Sequence, residues 1–312
     1  APLSAIGKAS YVLRVVNQSG PLPGFKIPGI SSAARVFYVT LQGAVFAQAQ
    51  VGFPGISAEG TVPVPHAVVH LEPPQAKSLP LETLQRDGWY VLLHISNYHD
   101  NSGGIWNSAV FDYGPSLNAA RVQTRFRAAV MFGVLLIIGS YHLVLFAQRR
   151  DDLSALFFSL FCLSIGARTF AMSIGQSLGL ASSIEAYQFM QSVEYASMPV
   201  MMATAMYFIE AVLPGRWFRN ATHFWALGLG TPLLLLAIVA TKSTFGSVLI
   251  VYQVHILGTL VIVLVYLVQG SLRGEKLARW CIVAFLLVAF GAVNDILHSN
   301  DIIESTHIAP YT

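Results

Sequence analysis

Residues Ala128–Ala147, AAVMFGVLLIIGSYHLVLFA, contain no charged side chain and one imidazole, His142. As a helix, twenty residues rise ~30 Å, the hydrocarbon thickness of a bilayer. Arg125 and Arg127 precede the run, and Arg149, Arg150, Asp151 and Asp152 come directly after it. It reads as a first membrane span and divides the chain. The part N-terminal to it looks soluble and rich in β-strand signals, and the part C-terminal to it looks like further spans.

The composition fits a lipid-facing protein. Only 11% of the 312 residues are charged and 54% are hydrophobic, whereas soluble domains carry about 25% charged residues. Residues 1–120 contain six Lys/Arg and six Asp/Glu, so the formal charge of +3 belongs wholly to the remainder. That excess is too small to indicate nucleic-acid binding. Cys162 and Cys281 both lie inside apolar runs and do not suggest a disulfide framework. No leader precedes Ala1, so an exported N-terminal part is expected to have lost one or to lack upstream sequence.

Before the first span, Tyr11–Val16, Ala34–Leu41, Ala44–Ala49, Ala67–Leu71 and Trp89–Ser96 are short β-branched and aromatic runs. Pro/Gly clusters at 20–24, 27–29, 53–55 and 72–74 separate them. Short strands with regular turn signals predict an all-β sandwich or barrel over residues 1–117. Residues 118–127, NAARVQTRFR, are a connector expected to lead helically into the membrane.

Five further apolar segments come next: Leu153–Met172, Ile184–Leu213, Phe224–Ala240, Val248–Gly270 and Leu277–Leu297. Their short linkers predict a six-helix antiparallel bundle over 128–306. The loops after spans one, three and five carry Arg149, Arg150, Arg216, Arg219, Arg273, Lys276 and Arg279, and the other loops carry only Lys242. Seven against one places the arginine-marked loops in the cytoplasm and the β domain outside it. Residues 307–312, HIAPYT, read as the start of a seventh span that the chain leaves incomplete.

Four groups of motifs, taken in order, resemble the bacterial seven-transmembrane receptors with diverse intracellular signalling modules. These are Gly139–Phe158 (GSYHLVLFAQRRDDLSALFF), Gly166–Phe170 (GARTF), Val193–Met198 (VEYASM) and Val293–Thr306 (VNDILHSNDIIEST). Ile95–Trp106, ISNYHDNSGGIW, resembles the last core strand and adjoining loop of galactose-binding-like jelly-roll domains. The resemblance implies an exported jelly roll, seven helices and a cytoplasmic output module beyond residue 312. It makes the chain the sensor portion of a receptor in the bacterial inner membrane, taking a small-molecule or carbohydrate ligand or a periplasmic partner and working as a homodimer. The alternative is a non-catalytic structural subunit of a larger membrane complex. No nucleotide-binding or hydrolase motif is present, so residues 1–312 are expected to hold no enzyme and no cofactor.

Ionisable groups inside spans are costly and tend to face the bundle. Arg168 and Asp295 each lie roughly 25 Å above the inner ends of their spans at a helical rise. With Glu185, Gln253, His255, Asn294 and His298 they form an expected outer polar layer. Tyr187, Gln191 and Glu194 have i, i+4, i+7 spacing and share a helix face. A carboxylate as deep as Glu194 calls for a partner: Arg168, with Asp295 or His142 as competitors. Such a network acts either as a switch relaying the outer domain's state or as a static clamp between helices. Glu210 is expected to lie near Arg216. In the outer domain, Asn97, Tyr98, His99 and Trp106 combine stacking rings with amide and imidazole groups suited to a polyol. The same residues would also serve a packed strand end. His94 and His99 are five apart and would point to opposite strand faces, so no metal site is expected.

Overall fold

A computed structural model describes residues 7–16, 24–30, 32–63, 67–71, 84, 87–99, 110–112, 115–175, 178, 180, 183–239, 242–299 and 302–303. The chain divides into two compact units. One comprises 1–127 with 172–191 and 241–246, and the other 128–171, 192–240 and 247–312.

The N-terminal unit contains seven strands: β1 (Gly7–Val15), β2 (Gly24–Ile30), β3 (Ala33–Thr40), β4 (Val45–Val51), β5 (Ala67–Leu71), β6 (Trp89–Asn97) and β7 (Val110–Asp112). They form a four-stranded sheet, β1-β6-β3-β4, and a three-stranded sheet, β5-β2-β7. All the pairings are antiparallel. Alternation decides which face is buried. Ala34, Val36 and Tyr38 of β3 and Trp89, Val91, Leu93 and Ile95 of β6 meet Phe25 and Ile27 of β2 in one core. The two sheets therefore form a sandwich around shared apolar side chains. Trp89 is fully buried, with ring centroids 4.3 Å from Tyr38 and 6.0 Å from Phe46. Gly88, just before it, has φ +86, and a Cβ there would lie 2.6 Å from the Val15 carbonyl oxygen. Close backbone approach fixes glycine at this strand entrance.

Among the described residues, seven helical segments come after the strands. They are α1 (Pro115–Gln148), α2 (Leu153–Thr169), α3 (Ile184–Val212), α4 (Arg216–Trp225), α5 (Thr231–Val239), α6 (Lys242–Leu272) and α7 (Lys276–Ser299). A π-helical turn, Phe170–Ile174, extends α2, and another, Ala226–Gly230, joins α4 to α5. Among the described residues, five helical stretches are long and apolar enough to cross a membrane: Arg125–Gln148, Leu153–Ile174, Arg216–Val239, Val248–Leu272 and Lys276–Leu297. The expected third span, α3, is not among them. Its 29 residues suffice in length, but Glu185, Gln188, Gln191, Glu194 and Glu210 lower its hydropathy. The segment PGRWFRN, expected as a linker, is mostly helix, because α4 begins at Arg216. Arg216 and Arg219 stand three apart, on one face of that helix. The expected start of a seventh span, 307–312, lies outside the described residues.

Asp152 caps α2. Its side chain accepts from the backbone N–H of Ser154 at 3.2 Å and of Ala155 at 3.4 Å. The Ser154 hydroxyl, ahead of those amides and Arg149, holds the Asp152 carboxyl below its ordinary range. Helices α1 and α2 approach closely at Gly139, whose carbonyl accepts from the Ser159 hydroxyl at 2.7 Å. Lower in the bundle, Met206, Leu213, Phe218, Val263, Leu267 and Ala278 form one apolar cluster. Met198, Leu233 and Tyr252 form another.

Candidate functional site

Several of the polar side chains on the apolar helices make defined contacts. Arg168, in the last turn of α2, reaches Glu194 of α3 twice. Its Nη2 lies 3.7 Å from Glu194 Oε1, and its Nη1 donates to the Glu194 carbonyl at 3.2 Å. The Ser197 hydroxyl donates to the same carbonyl at 2.6 Å. The Glu194 side chain is 7% exposed and that of Arg168 26%. Between Arg168, Asp295 and His142 as partners for Glu194, the geometry selects Arg168. His142 instead packs edge-on against Phe158, with centroids 4.7 Å apart. Asn294 donates to Asp295 at 3.2 Å, one residue along α7. His298 sits in that helix, but its side chain lies outside the described residues.

On the N-terminal part of α3, Glu185 is exposed and Gln191 is buried. Gln191 Oε1 has no hydrogen-bond partner among the described residues. Ser183 caps this helix by accepting from the Ala186 N–H at 3.2 Å. Gln253 and His255 of α6 are both buried. His255 lies parallel to Trp225, with centroids 5.7 Å apart, and neither ring nitrogen has a hydrogen-bond partner among the described residues. Trp225 Nε1 donates to Thr259 Oγ1 at 3.0 Å. Gly258 makes room for that ring: a Cβ there would lie 2.3 Å from Trp225 Cζ2. Sequence reasoning misses Trp225 and Thr259 because the contact spans 34 residues and neither residue is charged. Glu210, expected near Arg216, pairs with Arg219 at 2.7 Å. Arg219 lies three residues further on, and both arginines belong to the helical α4 rather than to a linker.

In the N-terminal β domain, the polar groups of Tyr98 and His99 are directed at the loop 53–62. The Tyr98 hydroxyl donates to the Ile56 carbonyl at 2.8 Å. His99 Nε2 lies 2.9 Å from the Ala58 carbonyl and 3.1 Å from that of Thr61. The Ser96 hydroxyl donates to the Gly55 carbonyl at 2.8 Å. Asn97 is 3% exposed. Three positions of β6 and its exit, Ser96, Tyr98 and His99, therefore tether one loop through backbone carbonyls. Trp106, the remaining sugar-face candidate, lies outside the described residues.

Comparison with known proteins adds one result. The family described as 7TM diverse intracellular signalling matches residues 125–312, more than half of the chain. The chain belongs to that family. The match covers every helix from Arg125 onward, including α3 and the Arg168–Glu194 pair. As a member of the 7TM diverse intracellular signalling family it is a multi-pass membrane protein with a separately cored β domain ahead of its helices. No curated protein and no solved structure matches it.

Proposed function

We propose that this chain is the sensory portion of a bacterial inner-membrane signalling protein. The β sandwich, a galactose-binding-like jelly roll, lies outside the cytoplasm and binds a small molecule, such as a carbohydrate, or a periplasmic partner. The helices relay the bound state to a cytoplasmic module carried beyond residue 312, within a homodimer. Residues 1–312 themselves catalyse nothing and use no cofactor. The observation that carries this reading is the family match over residues 125–312 in a chain that places a sandwich with its own core before them.

The helices cross six times in this reading, with α3 as the polar-faced third crossing. Its 29 residues rise ~43 Å as a helix. Arg149, Arg150 and Arg273 in the loops after α1 and α6, with Arg216 and Arg219 at the start of α4, support the orientation. The Arg168–Glu194 pair is the element most suited to switching, because it joins two helices through an ionic contact and a hydrogen bond. Ligand can bias two packings only if it binds them unequally.

The test grafts a reporter output module after a complete seventh span and measures its activity during ligand titration. Arg168→Ala and Glu194→Gln should shift the basal output or the ligand response. Cysteines placed at exposed positions of residues 7–99 should react with an impermeant maleimide in spheroplasts. Labelling only after lysis refutes the orientation. An output unmoved by both substitutions and by every ligand refutes the sensor reading.

A further inference from the structure

The outward face of the four-stranded sheet carries a row of polar side chains that the core does not need. Register alone puts Ser10 of β1, His94 of β6, Arg35 of β3 and Gln50 of β4 side by side. Adjacent strands lie ~4.8 Å apart, so the row spans roughly 14 Å. The Ser10 hydroxyl and His94 Nδ1 are 2.6 Å apart. Arg35 donates from Nε at 2.9 Å and from Nη2 at 2.5 Å to Gln50 Oε1. Gln50 in turn donates from Nε2 to the Gly52 carbonyl at 2.7 Å, which turns its amide oxygen toward Arg35. The next row along the face holds Val12, Leu92, Phe37 and Gln48. Phe37 meets His94 edge-on at 5.6 Å and lies 6.0 Å from the Arg35 guanidinium carbon. A half-open depression of about 360 Å³ is lined by Arg35, Gln48, Ala49 and Gln50.

The count of donors identifies what this face lacks. A guanidinium has five N–H groups in a fixed fork. Gln50 occupies Nε–H and one N–H of Nη2, on the same side of the fork. The end-on edge remains, with one N–H from each Nη, and that edge matches the two oxygens of a carboxylate. Among the described residues no Asp or Glu lies within 4.0 Å of Arg35. Among the described residues this is a cation without an anion, beside two primary amides, an imidazole, a hydroxyl and an aromatic edge.

We propose that this face binds a small polyhydroxylated carboxylate of the sugar-acid class. Its carboxylate takes the free edge of Arg35. Its hydroxyls meet Gln48, His94 and Ser10, and its C–H face lies against Phe37 and Leu92. The proposal deepens the sensor reading, on which it rests for the ligand's delivery from outside the cell, and it moves the binding site from the β6 exit to the β1-β6-β3-β4 face.

The experiment titrates the full chain in lipid nanodiscs with glucuronate, and with glucose as the uncharged counterpart, by saturation-transfer NMR and calorimetry. Glucuronate should bind saturably, glucose at least tenfold more weakly, and added salt should weaken only glucuronate. Arg35→Gln should weaken glucuronate at least tenfold. Gln50→Glu, which gives Arg35 an internal carboxylate, should abolish binding while leaving the melting temperature unchanged or raised. Failure of glucuronate to bind, equal binding of glucose, or insensitivity to both substitutions overturns the proposal. If Arg35-dependent binding leaves a grafted reporter silent, the site stands and the sensor reading fails. A reporter that responds to a ligand independent of Arg35 does the reverse.

Discussion

Removal of the Arg168 guanidinium should destabilise the helical unit more than removal of the charge it faces. At 3.7 Å and an effective dielectric near 20, the pair's direct attraction is about 4.5 kcal/mol. Desolvation and side-chain ordering oppose it, and Arg168 is 26% exposed, so water screens part of the remainder. A net coupling of about 2 kcal/mol results. Arg168→Ala removes both the contact to Oε1 and the hydrogen bond to the Glu194 carbonyl, and it leaves a carboxylate that is 7% exposed. Its cost should be about 3 kcal/mol, the low end for a broken buried pair. Glu194→Gln keeps the carbonyl anchor and returns Arg168 to partial hydration, so its cost should be about 1 kcal/mol. The double variant should lose about 2 kcal/mol, less than the sum of the singles. Reversible unfolding of the full chain in mixed micelles, monitored by tryptophan fluorescence, measures all four corners of the cycle. Costs that add to within about 0.5 kcal/mol would show no coupling and would refute the pairing argument.

Three further outcomes are expected. Gly258→Ala should cost about 1–3 kcal/mol by overpacking against Trp225, and most of that should disappear in a Trp225→Leu background; an unchanged penalty there removes Trp225 as the cause. Tyr98→Phe combined with His99→Ala should release the loop 53–62 and speed limited proteolysis near Ile56, which is 81% exposed; wild-type cleavage rates would show that the tethers hold nothing. Asp152→Ala should lower thermal stability at neutral pH but not in strong acid. A carboxyl whose folded-state pKa is depressed stabilises above its unfolded value and loses that contribution as pH falls through the folded one; parallel wild-type and variant pH profiles would exclude the cap.

Features carried by local composition can be read from the linear sequence. Hydropathy locates the apolar stretches Arg125–Gln148, Leu153–Ile174, Val248–Leu272 and Lys276–Leu297 to within a few residues, because lipid demands uninterrupted apolar length. Alternation locates β3 and β6 for the same kind of local reason. The pairing of Arg168 with Glu194 can be narrowed to three partners by depth alone, and only the packing of α2 against α3 selects among them. Helix α4 escapes a reading of the sequence because a short amphipathic segment with Pro214 and Gly215 before it carries the same residues as a turn. Nothing local to Arg35 marks it. Its contact with Gln50, fifteen residues away, comes from strand register. Tyr98 and His99 illustrate the opposite limit: the residue types that suit a polyol also suit a row of loop carbonyls.

The π-helical turn Ala226–Gly230 has a consequence for the angular order of this bundle. A wide turn accommodates one surplus residue within an otherwise regular rod, which advances every later side chain by about 100° around the axis. The rod formed by α4, Ala226–Gly230 and α5 therefore contains two rotational frames. A wheel drawn for Arg216–Trp225 mispoints Thr231–Val239. Deleting one residue within such a turn would spin the far segment back by a quarter-circle, so length at this place encodes direction.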